Sequence, residues 1–417
     1  MMSKRLLYGL PALLMAWLMP IVSIVADDSS AERPLAIYGR RVLPVSGVPI
    51  DNGVVLIVDG RIAAVGPRDS VAIPEGCETL EGDVVTPGLV DVHSVVGLAG
   101  ILNQDEDQDQ LDATAAMQPQ LRAIDAYNAS DELIEWLREL GVTTLHTGHA
   151  PGQLCSGQTM IVRTVGTTVD EAIRVPARAI SVTLAESAIG AGGSAPGTRG
   201  KAMALLRARL IAARERIERR AAATDDAEPI AADLELEAWE DVLERRLALM
   251  ITAERAQDIA SALRLQREFG FELWLDGASE AYRLIDEIRE AEVPVLVHAS
   301  MARATGEREN LSFENAARLA EAGIPIAIQS GYEAYVPKTR VVLFEGAIAA
   351  ANGLGPERAL RAITLDPAKI LGIADQVGSL EIGKRGDVAI FDGDPFEYVS
   401  HCVATIIDGK VVSRTPR

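Results

Sequence analysis

The two ends of the chain show the same pattern of short apolar runs separated by turn residues. In residues 35–85, apolar runs at 54–58 and 61–65 flank Asp59-Gly60, a dipeptide that favours a tight β-hairpin. Three similar runs follow near the C-terminus, at 387–391, 403–407 and 410–412. Neither end has enough strands to bury a core alone. The pattern therefore predicts one small, discontinuous β-sandwich domain, formed by residues 35–85 together with 376–417.

The region between them alternates apolar runs with amphipathic helical patterns. The candidate strands are at 89–93, 142–146, 160–164, 178–183, 247–252, 271–275, 294–298 and 325–329. The helical patterns that separate most of them are at 131–140, 256–269, 279–291, 312–322 and 342–352. Alternating strands and helices predict a parallel sheet, and eight strands predict a closed (β/α)8 TIM barrel of the α/β class over residues 86–375.

Residues 190–246 interrupt this alternation and form an insertion. A Gly-rich stretch at 190–200 precedes a charged helical pattern at 201–220, and a second helical pattern follows near 232–246. We expect a solvated helical hairpin here; a lid or a partner surface is the alternative.

The first residues have the pattern of a secretory signal peptide. Lys4 and Arg5 precede an uncharged apolar stretch at 6–25, and Ala26 offers a cleavage position. Residues 1–26 are therefore expected to direct export to the periplasm or the extracellular space. An uncleaved N-terminal membrane anchor is the alternative, although Pro11 and Pro20 do not suit a membrane helix.

The chain is strongly acidic, with 60 Asp and Glu residues against 40 Lys and Arg residues and a net charge of −20. Such a surface repels phosphates, so no nucleic-acid binding is expected. The three cysteines are Cys77, Cys155 and Cys402. An exported protein could pair Cys77 with Cys402 within the β-sandwich, but we expect buried free thiols. Cys155 has no obvious activating base beside it in the sequence.

The first barrel strand carries the most informative motif. Residues 86–95 read TPGLVDVHSV, an apolar strand that follows a Pro-Gly turn and reaches His93. This motif resembles the first barrel strand of the amidohydrolase superfamily. Further matches lie at 53–67, at 140–144, in the loop 152–158 and over 362–372 and 378–387. The loop and the second strand resemble the exported, imidazolonepropionase-like branch.

This resemblance implies a hydrolase that acts on carbon–nitrogen bonds of cyclic amides or peptides. It also implies one or two divalent metal ions at the barrel mouth, which lower the pKa of a bound water. The implied ligands are a His-x-His on strand one, a carboxylated Lys or a Glu on strand four, a His on each of strands five and six, and an Asp after strand eight, which also serves as general base.

Most of these positions carry other residues in this chain. Strand one keeps His93 but has Val95 as its second position, and no lysine occurs between Lys4 and Lys201. Arg163 ends the third predicted strand, but an arginine cannot be carboxylated. The remaining substitutions at the barrel mouth are Glu186 beyond strand four, Thr252 on strand five, Asp276 on strand six and an Asp-free strand eight at 326–331.

Two interpretations remain open. In the first, the metal is lost, the catalytic residues are unknown, and Arg163 pairs with Asp276 or Glu254 in place of the cation. The protein would then be an inactive member that binds a small molecule or peptide, forms a homo-oligomer or pairs with an active relative. In the second, a reduced site holds one divalent metal such as zinc. Its candidate ligands are His93, His146, Glu254, Asp276 and His298.

Overall fold

The computed structural model describes residues 33–102, 104–190, 196–224, 229–298, 303–332 and 341–417. The predicted signal segment at 1–26 lies outside these ranges. Within them, the two chain ends form one sheet of seven strands in the order β15-β14-β13-β4-β1-β2-β3. Its strands are β1 (Leu35–Val42), β2 (Ile50–Val58), β3 (Arg61–Pro67), β4 (Glu78–Pro87), β13 (Val388–Phe391), β14 (Cys402–Ile407) and β15 (Lys410–Ser413).

Two tight hairpin turns of this terminal sheet lie against each other. Asp59 and Gly60 both have positive φ, as do Asp408 and Gly409, which is the backbone geometry of two-residue hairpin turns. The two turns touch, since a Cβ added at Gly409 would lie 2.8 Å from the Cα of Gly60. Strands from both chain ends share an apolar core that includes Ile37, Ile57, Val85, Ile390 and Ile406. The prediction of one sandwich-like domain from both chain ends is confirmed.

The middle of the chain forms a second sheet with the order β12-β11-β10-β9-β8-β7-β6-β5 in the described residues. Its strands are β5 (Leu89–Ser94), β6 (Val142–Gly148), β7 (Cys155–Arg163), β8 (Ile173–Thr183), β9 (Ala248–Ala253), β10 (Leu273–Gly277), β11 (Val295–Val297) and β12 (Ile326–Ile328). Each predicted barrel strand corresponds to one of these eight. Val90, Met250, Trp274 and Leu296 share the apolar cluster inside this nearly closed barrel.

The predicted direction of one strand is wrong. β7 pairs antiparallel with both β6 and β8, whereas the other pairs in the barrel sheet are parallel. The turn between β6 and β7 spans only residues 149–154, which is too short for a crossover helix and suits an antiparallel connection. The last residue of β7, Arg163, consequently lies at the opposite end of the barrel from the last residues of its neighbours.

Helices cover the outside of the barrel. They are α1 (Glu132–Glu139), α2 (Val169–Ala172), α3 (Arg199–Ala221), α4 (Leu234–Leu243), α5 (Ala256–Phe269), α6 (Ile285–Glu290), α7 (Asn315–Glu321), α8 (Val342–Ala349), α9 (Pro356–Ala362) and α10 (Leu365–Ile370). α3 and α4 form the predicted helical hairpin of the insertion. Among the helices of the described ranges, none is long and apolar enough to cross a membrane.

The cysteines are free thiols. Cys155 and Cys402 are buried and Cys77 is partly buried, and no disulfide joins them. Burial raises the pKa of all three thiols, and that of Cys402 to about 11. Thiols that stay protonated at neutral pH are poor nucleophiles, which agrees with a packing role for all three.

Candidate functional site

The C-terminal ends of the parallel strands bring four polar side chains together inside the barrel. His93 lies near the end of β5, Thr252 near the end of β9, Asp276 near the end of β10, and Gln329 directly after β12. All four are at most 1% exposed to solvent. In a barrel of this type, the C-terminal strand ends are where active sites are found.

Asp276 is the centre of this group. Its Oδ1 atom lies 2.8 Å from Nδ1 of His93 and accepts a hydrogen bond of 2.8 Å from Nε2 of Gln329. Its Oδ2 atom accepts a hydrogen bond of 2.6 Å from the hydroxyl of Thr252. Gln329 also donates to the carbonyl oxygen of Leu296, which fixes its side-chain amide. Donors from β5, β9 and the end of β12 thus satisfy one carboxylate of β10.

These contacts keep Asp276 ionised although it is fully buried. Burial by itself would raise its pKa. The adjacent His93 and the three hydrogen bonds outweigh burial and hold the pKa of Asp276 below its usual value. An ionised Asp276 requires a proton on Nδ1 of His93, so Nε2 is the remaining nitrogen of that ring. This Nε2 is buried and has no hydrogen-bond partner among the described residues.

Glu254 belongs to a second charged group at the same end of the barrel. Its carboxylate accepts hydrogen bonds from the backbone N and the hydroxyl of Ser279, and from Nε of Arg308 at 3.1 Å. Arg308 also donates to the hydroxyl of Tyr332 at 2.9 Å. The buried negative charge of Glu254 is therefore balanced by a guanidinium from the loop that precedes α7.

Tyr332 connects the two groups through its ring. The centroid of the Tyr332 ring lies 5.4 Å from that of His93 and 6.0 Å from that of His298, with the latter pair in edge-to-face geometry. The Tyr332 ring therefore packs against both His93 and His298, and His93 in turn contacts Asp276. Glu254 lies beyond Tyr332, on the side of Arg308.

His146 is placed differently from the other candidate ligands. Its Nδ1 lies 2.7 Å from the carbonyl oxygen of Val92, and its Nε2 lies 2.7 Å from the hydroxyl of Thr159. Burial lowers the pKa of His146 to about 3, so the ring is neutral. A neutral ring that donates to Val92 accepts from Thr159 with its other nitrogen. Both nitrogens of His146 are thus committed to hydrogen bonds inside the barrel.

Two of the other predicted mouth residues lie elsewhere. Arg163 forms an ion pair with Asp408 of the terminal sheet and bonds to the backbone of Glu171, because β7 runs antiparallel. The predicted pairing of Arg163 with Asp276 or Glu254 is therefore wrong. Glu186 is exposed, and its backbone N donates to Glu307 at the rim of the barrel.

The sequence analysis did not single out one further buried carboxylate, Asp91. Asp91 accepts hydrogen bonds from the backbone N and the hydroxyl of Ser330, which joins the first and last strands of the barrel. Burial raises the pKa of Asp91 to about 6. The sequence indicated a role for Asp91 only through its position, two residues before His93 on a buried strand. Arg308 and Tyr332 lie in loops that offered no such signal.

The residues present do not fit the two-metal site that the resemblance implies. Val95 lies in an apolar cluster with Ala99 and Ala150, against Tyr332. The position implied for the general base is occupied by Ser330-Gly331, and Ser330 is bonded to Asp91. Within the described part of the chain, no group of three or more His, Cys, Asp or Glu side chains has the arrangement of a metal site.

Comparison with known proteins agrees with the resemblance found in the sequence. The model of the "Amidohydrolase family" matches residues 273–412. An imidazolonepropionase from Symbiobacterium thermophilum is 27% identical, over 90% of this chain and 92% of its own. An imidazolonepropionase from Fusobacterium nucleatum is 26% identical over 35% of this chain. That second match, however, spans only 37% of the relative's own length.

A solved structure resembles the whole described fold. An amidohydrolase from Thermotoga maritima superposes with a TM-score of 0.86 and 27% sequence identity, over 91% of this chain and 100% of its own. The similarity therefore includes both the barrel and the terminal sheet, since together they make up most of the described residues.

Proposed function

The chain belongs to the amidohydrolase superfamily, in its imidazolonepropionase-like branch, and we infer that it has lost the two-metal reaction of that family and acts by binding. Its relatives form a family of hydrolases that act on carbon–nitrogen bonds and generally use a divalent metal. The proposal for this member is a barrel whose mouth binds a small molecule or peptide, or a subunit that pairs with another protein. Export through the signal segment at 1–26 is part of the same proposal.

The observation that carries this proposal is the hydrogen-bonded state of Asp276. His93, Thr252 and Gln329 direct three donors at its carboxylate at 2.6–2.8 Å. A carboxylate has about four acceptor sites, and the three donors occupy three of them, so Asp276 has little capacity left to bind a metal ion. Thr252 stands where the resemblance implies a metal ligand, and Gln329 adds a further donor. Both residues therefore favour a carboxylate that is stabilised by protein donors.

The pairing of Glu254 with Arg308 supports the same conclusion. Arg308 supplies a fixed positive charge at the barrel mouth, 3.1 Å from Glu254. A guanidinium stays protonated at every accessible pH, so it balances a buried carboxylate permanently. The role that the sequence analysis gave to Arg163 is thus filled by Arg308.

One observation favours the alternative, a hydrolase with a single metal. Nε2 of His93 is buried without a partner among the described residues, while Nδ1 contacts a carboxylate. A carboxylate that holds one nitrogen of a histidine commonly orients the other toward a metal. His298, whose ring packs against the same tyrosine, is the second candidate ligand of such a site.

Elemental analysis of protein purified without chelator distinguishes the two functions. We expect no stoichiometric zinc, iron or manganese, no tight zinc binding in calorimetric titration, and the same melting temperature with and without chelator. One metal per chain that disappears in both His93→Ala and His298→Ala would establish the single-metal hydrolase instead. His401→Ala is the matched control, because His401 lies exposed in the terminal sheet.

Export is tested separately. We expect the mature protein to be recovered outside the cytoplasm, with an N-terminus at or near Asp27 in Edman sequencing. A full-length chain that remains with the membrane fraction would favour the N-terminal anchor.

A further inference from the structure

One histidine outside the two charged groups of the barrel mouth is buried with both ring nitrogens unsatisfied. His149 begins the turn at 149–154 that connects β6 to β7, and it is 4% exposed. Neither Nδ1 nor Nε2 has a partner in hydrogen-bond geometry among the residues that the structure describes. The ring packs against Gly157, where an added Cβ would lie 2.4 Å from Cδ2 of His149. Since buried polar groups are normally hydrogen-bonded, this ring requires an explanation.

A polar segment between β5 and α1, residues 104–121, covers the turn that carries His149. The backbone N of Ala150 donates to the carbonyl oxygen of Gln110 at 2.7 Å. Leu111 packs on Gly152, because an added Cβ there would lie 2.5 Å from Cδ2 of Leu111. Most residues of this covering segment are at least partly exposed. Few buried contacts therefore hold the covering segment, and such segments open locally at low cost.

The charged groups that act on His149 are both on the covering segment. They are Asp109 and Asp112, and each favours the protonated ring electrostatically, as does the carbonyl oxygen of Gln110. Burial outweighs these three groups and lowers the pKa of His149 below its ordinary value. The closed arrangement therefore keeps the ring neutral, although the groups that would attract its charged form lie nearby.

The turn and β7, on the other side of the ring, supply no charged partner. The turn 149–154 has no further ionisable residue, and β7 contains only Cys155 and Arg163. Burial raises the pKa of Cys155, so its thiol is neutral. Arg163 lies at the opposite end of the strand and is paired with Asp408. A proton on His149 would thus be neither bonded nor solvated while the covering segment is closed.

The same turn also packs against the barrel mouth. Ala150, which follows His149, shares an apolar cluster with Val95 and Ala99, against Tyr332. The ring of Tyr332 in turn contacts two histidines of the mouth. Release of the covering segment and its turn would therefore uncover this side of the mouth.

We propose that protonation of His149 releases the covering segment, so that mild acid uncovers one side of the barrel mouth. In the open state, water solvates the charged ring. The closed state excludes this proton, so its population relative to the open state is highest above pH 6.5 and falls as the pH decreases. The consequence for ligand entry rests on the proposed binding at the mouth, whereas the opening itself is a property of this chain alone.

Hydrogen–deuterium exchange followed by mass spectrometry, at pH 7.5 and at pH 5.0, tests the opening. The backbone N of Asp109 and that of Gln118 donate to the carbonyl oxygens of Leu98 and Cys155 at 2.8 Å, so their amides report release of residues 104–121. After correction for the intrinsic effect of pH, we expect exchange here to be several-fold faster at pH 5.0. The limit is about 30-fold, for a ring that titrates near pH 6.5 only when open.

Variants that cannot titrate identify the responsible group. His149→Gln and His149→Phe should each remove the acceleration in 104–121, and circular dichroism at pH 7.5 should show that both are folded. His146→Gln is the matched control, because it removes the other buried histidine near this turn, which is bonded inside the barrel. This control should leave the acceleration in place.

Three outcomes overturn the proposal. The first is a wild type whose corrected exchange in 104–121 does not rise in acid. The second is an acceleration that persists in either folded His149 variant. The third is an equal acceleration in all peptides, which would mean global unfolding instead of local release. None of these measurements requires a ligand or a metal, so their result is separate from that of the proposed function.

Discussion

Nδ1 of His93 lies 2.8 Å from Oδ1 of Asp276, so the remaining histidine of the first barrel strand is held by a carboxylate from the strand almost opposite. The carboxylate is itself held by Thr252 and Gln329. The contacts of the Asp276 carboxylate are thus made with protein groups. The stability of the protein should therefore depend on each of these groups, and it should change little when a metal ion is added.

Removing the carboxylate of Asp276 should destabilise the fold strongly. Asp276→Ala leaves the donors of His93, Thr252 and Gln329 buried without an acceptor, at about 1–3 kcal/mol for each such group. We expect the free energy of unfolding in urea to fall by several kcal/mol. Asp375→Ala, at an exposed carboxylate, should change it by less than about 0.5 kcal/mol.

The response to chelator separates this role from metal binding. If Asp276 is stabilised by protein donors, the wild type and the variant should each unfold at the same urea concentration with and without chelator. A wild type that loses as much stability in chelator as it does through Asp276→Ala would identify Asp276 as part of a metal site.

The pairing of Glu254 with Arg308 makes a second, independent prediction. Arg308→Met removes the guanidinium that balances a buried carboxylate, and breaking such a pair costs about 3–5 kcal/mol. The double variant Glu254→Gln/Arg308→Met should recover part of this loss, because the uncompensated charge is removed. Chemical denaturation of the two variants measures the difference. A double variant that is no more stable than Arg308→Met would show that Arg308 acts through other contacts.

The sequence predicted the strands well because each is a short apolar run with clear boundaries. It could not predict their direction, since an apolar run such as that in β7 reads the same in either orientation. The feature that indicated the direction of β7 was its short connection to β6. This connection has no helical pattern and is too short for a parallel crossover. The misplaced role of Arg163 followed directly from this error.

The candidate site was predicted in part for a similar reason. His93, Asp276 and His298 lie at ends of parallel strands, so the barrel itself brings them together. Arg308 comes from the loop that precedes α7, and Tyr332 comes from the segment that follows β12. The contacts of both residues depend on tertiary packing. His146 lies at the expected level of the barrel, but its hydrogen bonds to Val92 and Thr159 depend on the antiparallel β7.

A glycine near the start of β7 should be required for packing. Gly157 has a φ of +139°, and a Cβ there would lie 2.4 Å from Cδ2 of His149. Gly157→Ala should therefore lower the free energy of unfolding by about 1–3 kcal/mol. Gly200→Ala is the control: a Cβ at Gly200 meets no atom within 4 Å, and alanine favours helix α3, so it should be neutral or stabilising. Equal effects at the two sites would argue against the contact with His149.

The neutral, buried state of His146 predicts a specific loss of stability in acid. The pKa of His146 is about 3 in the folded protein and about 6.5 as its ordinary value, so below pH 6.5 the unfolded chain binds a proton that the folded chain excludes. Its contribution to the free energy of unfolding is therefore complete above pH 6.5 and declines as the pH falls toward 3, by up to about 1.4 kcal/mol per pH unit.

His146→Gln keeps a donor for Val92 and an acceptor for Thr159 but cannot titrate. The stability of the wild type relative to this variant should accordingly shrink between pH 6.5 and pH 4, as measured by urea unfolding at each pH. A His146→Gln difference that stays constant with pH would mean that His146 accepts its proton in the folded state.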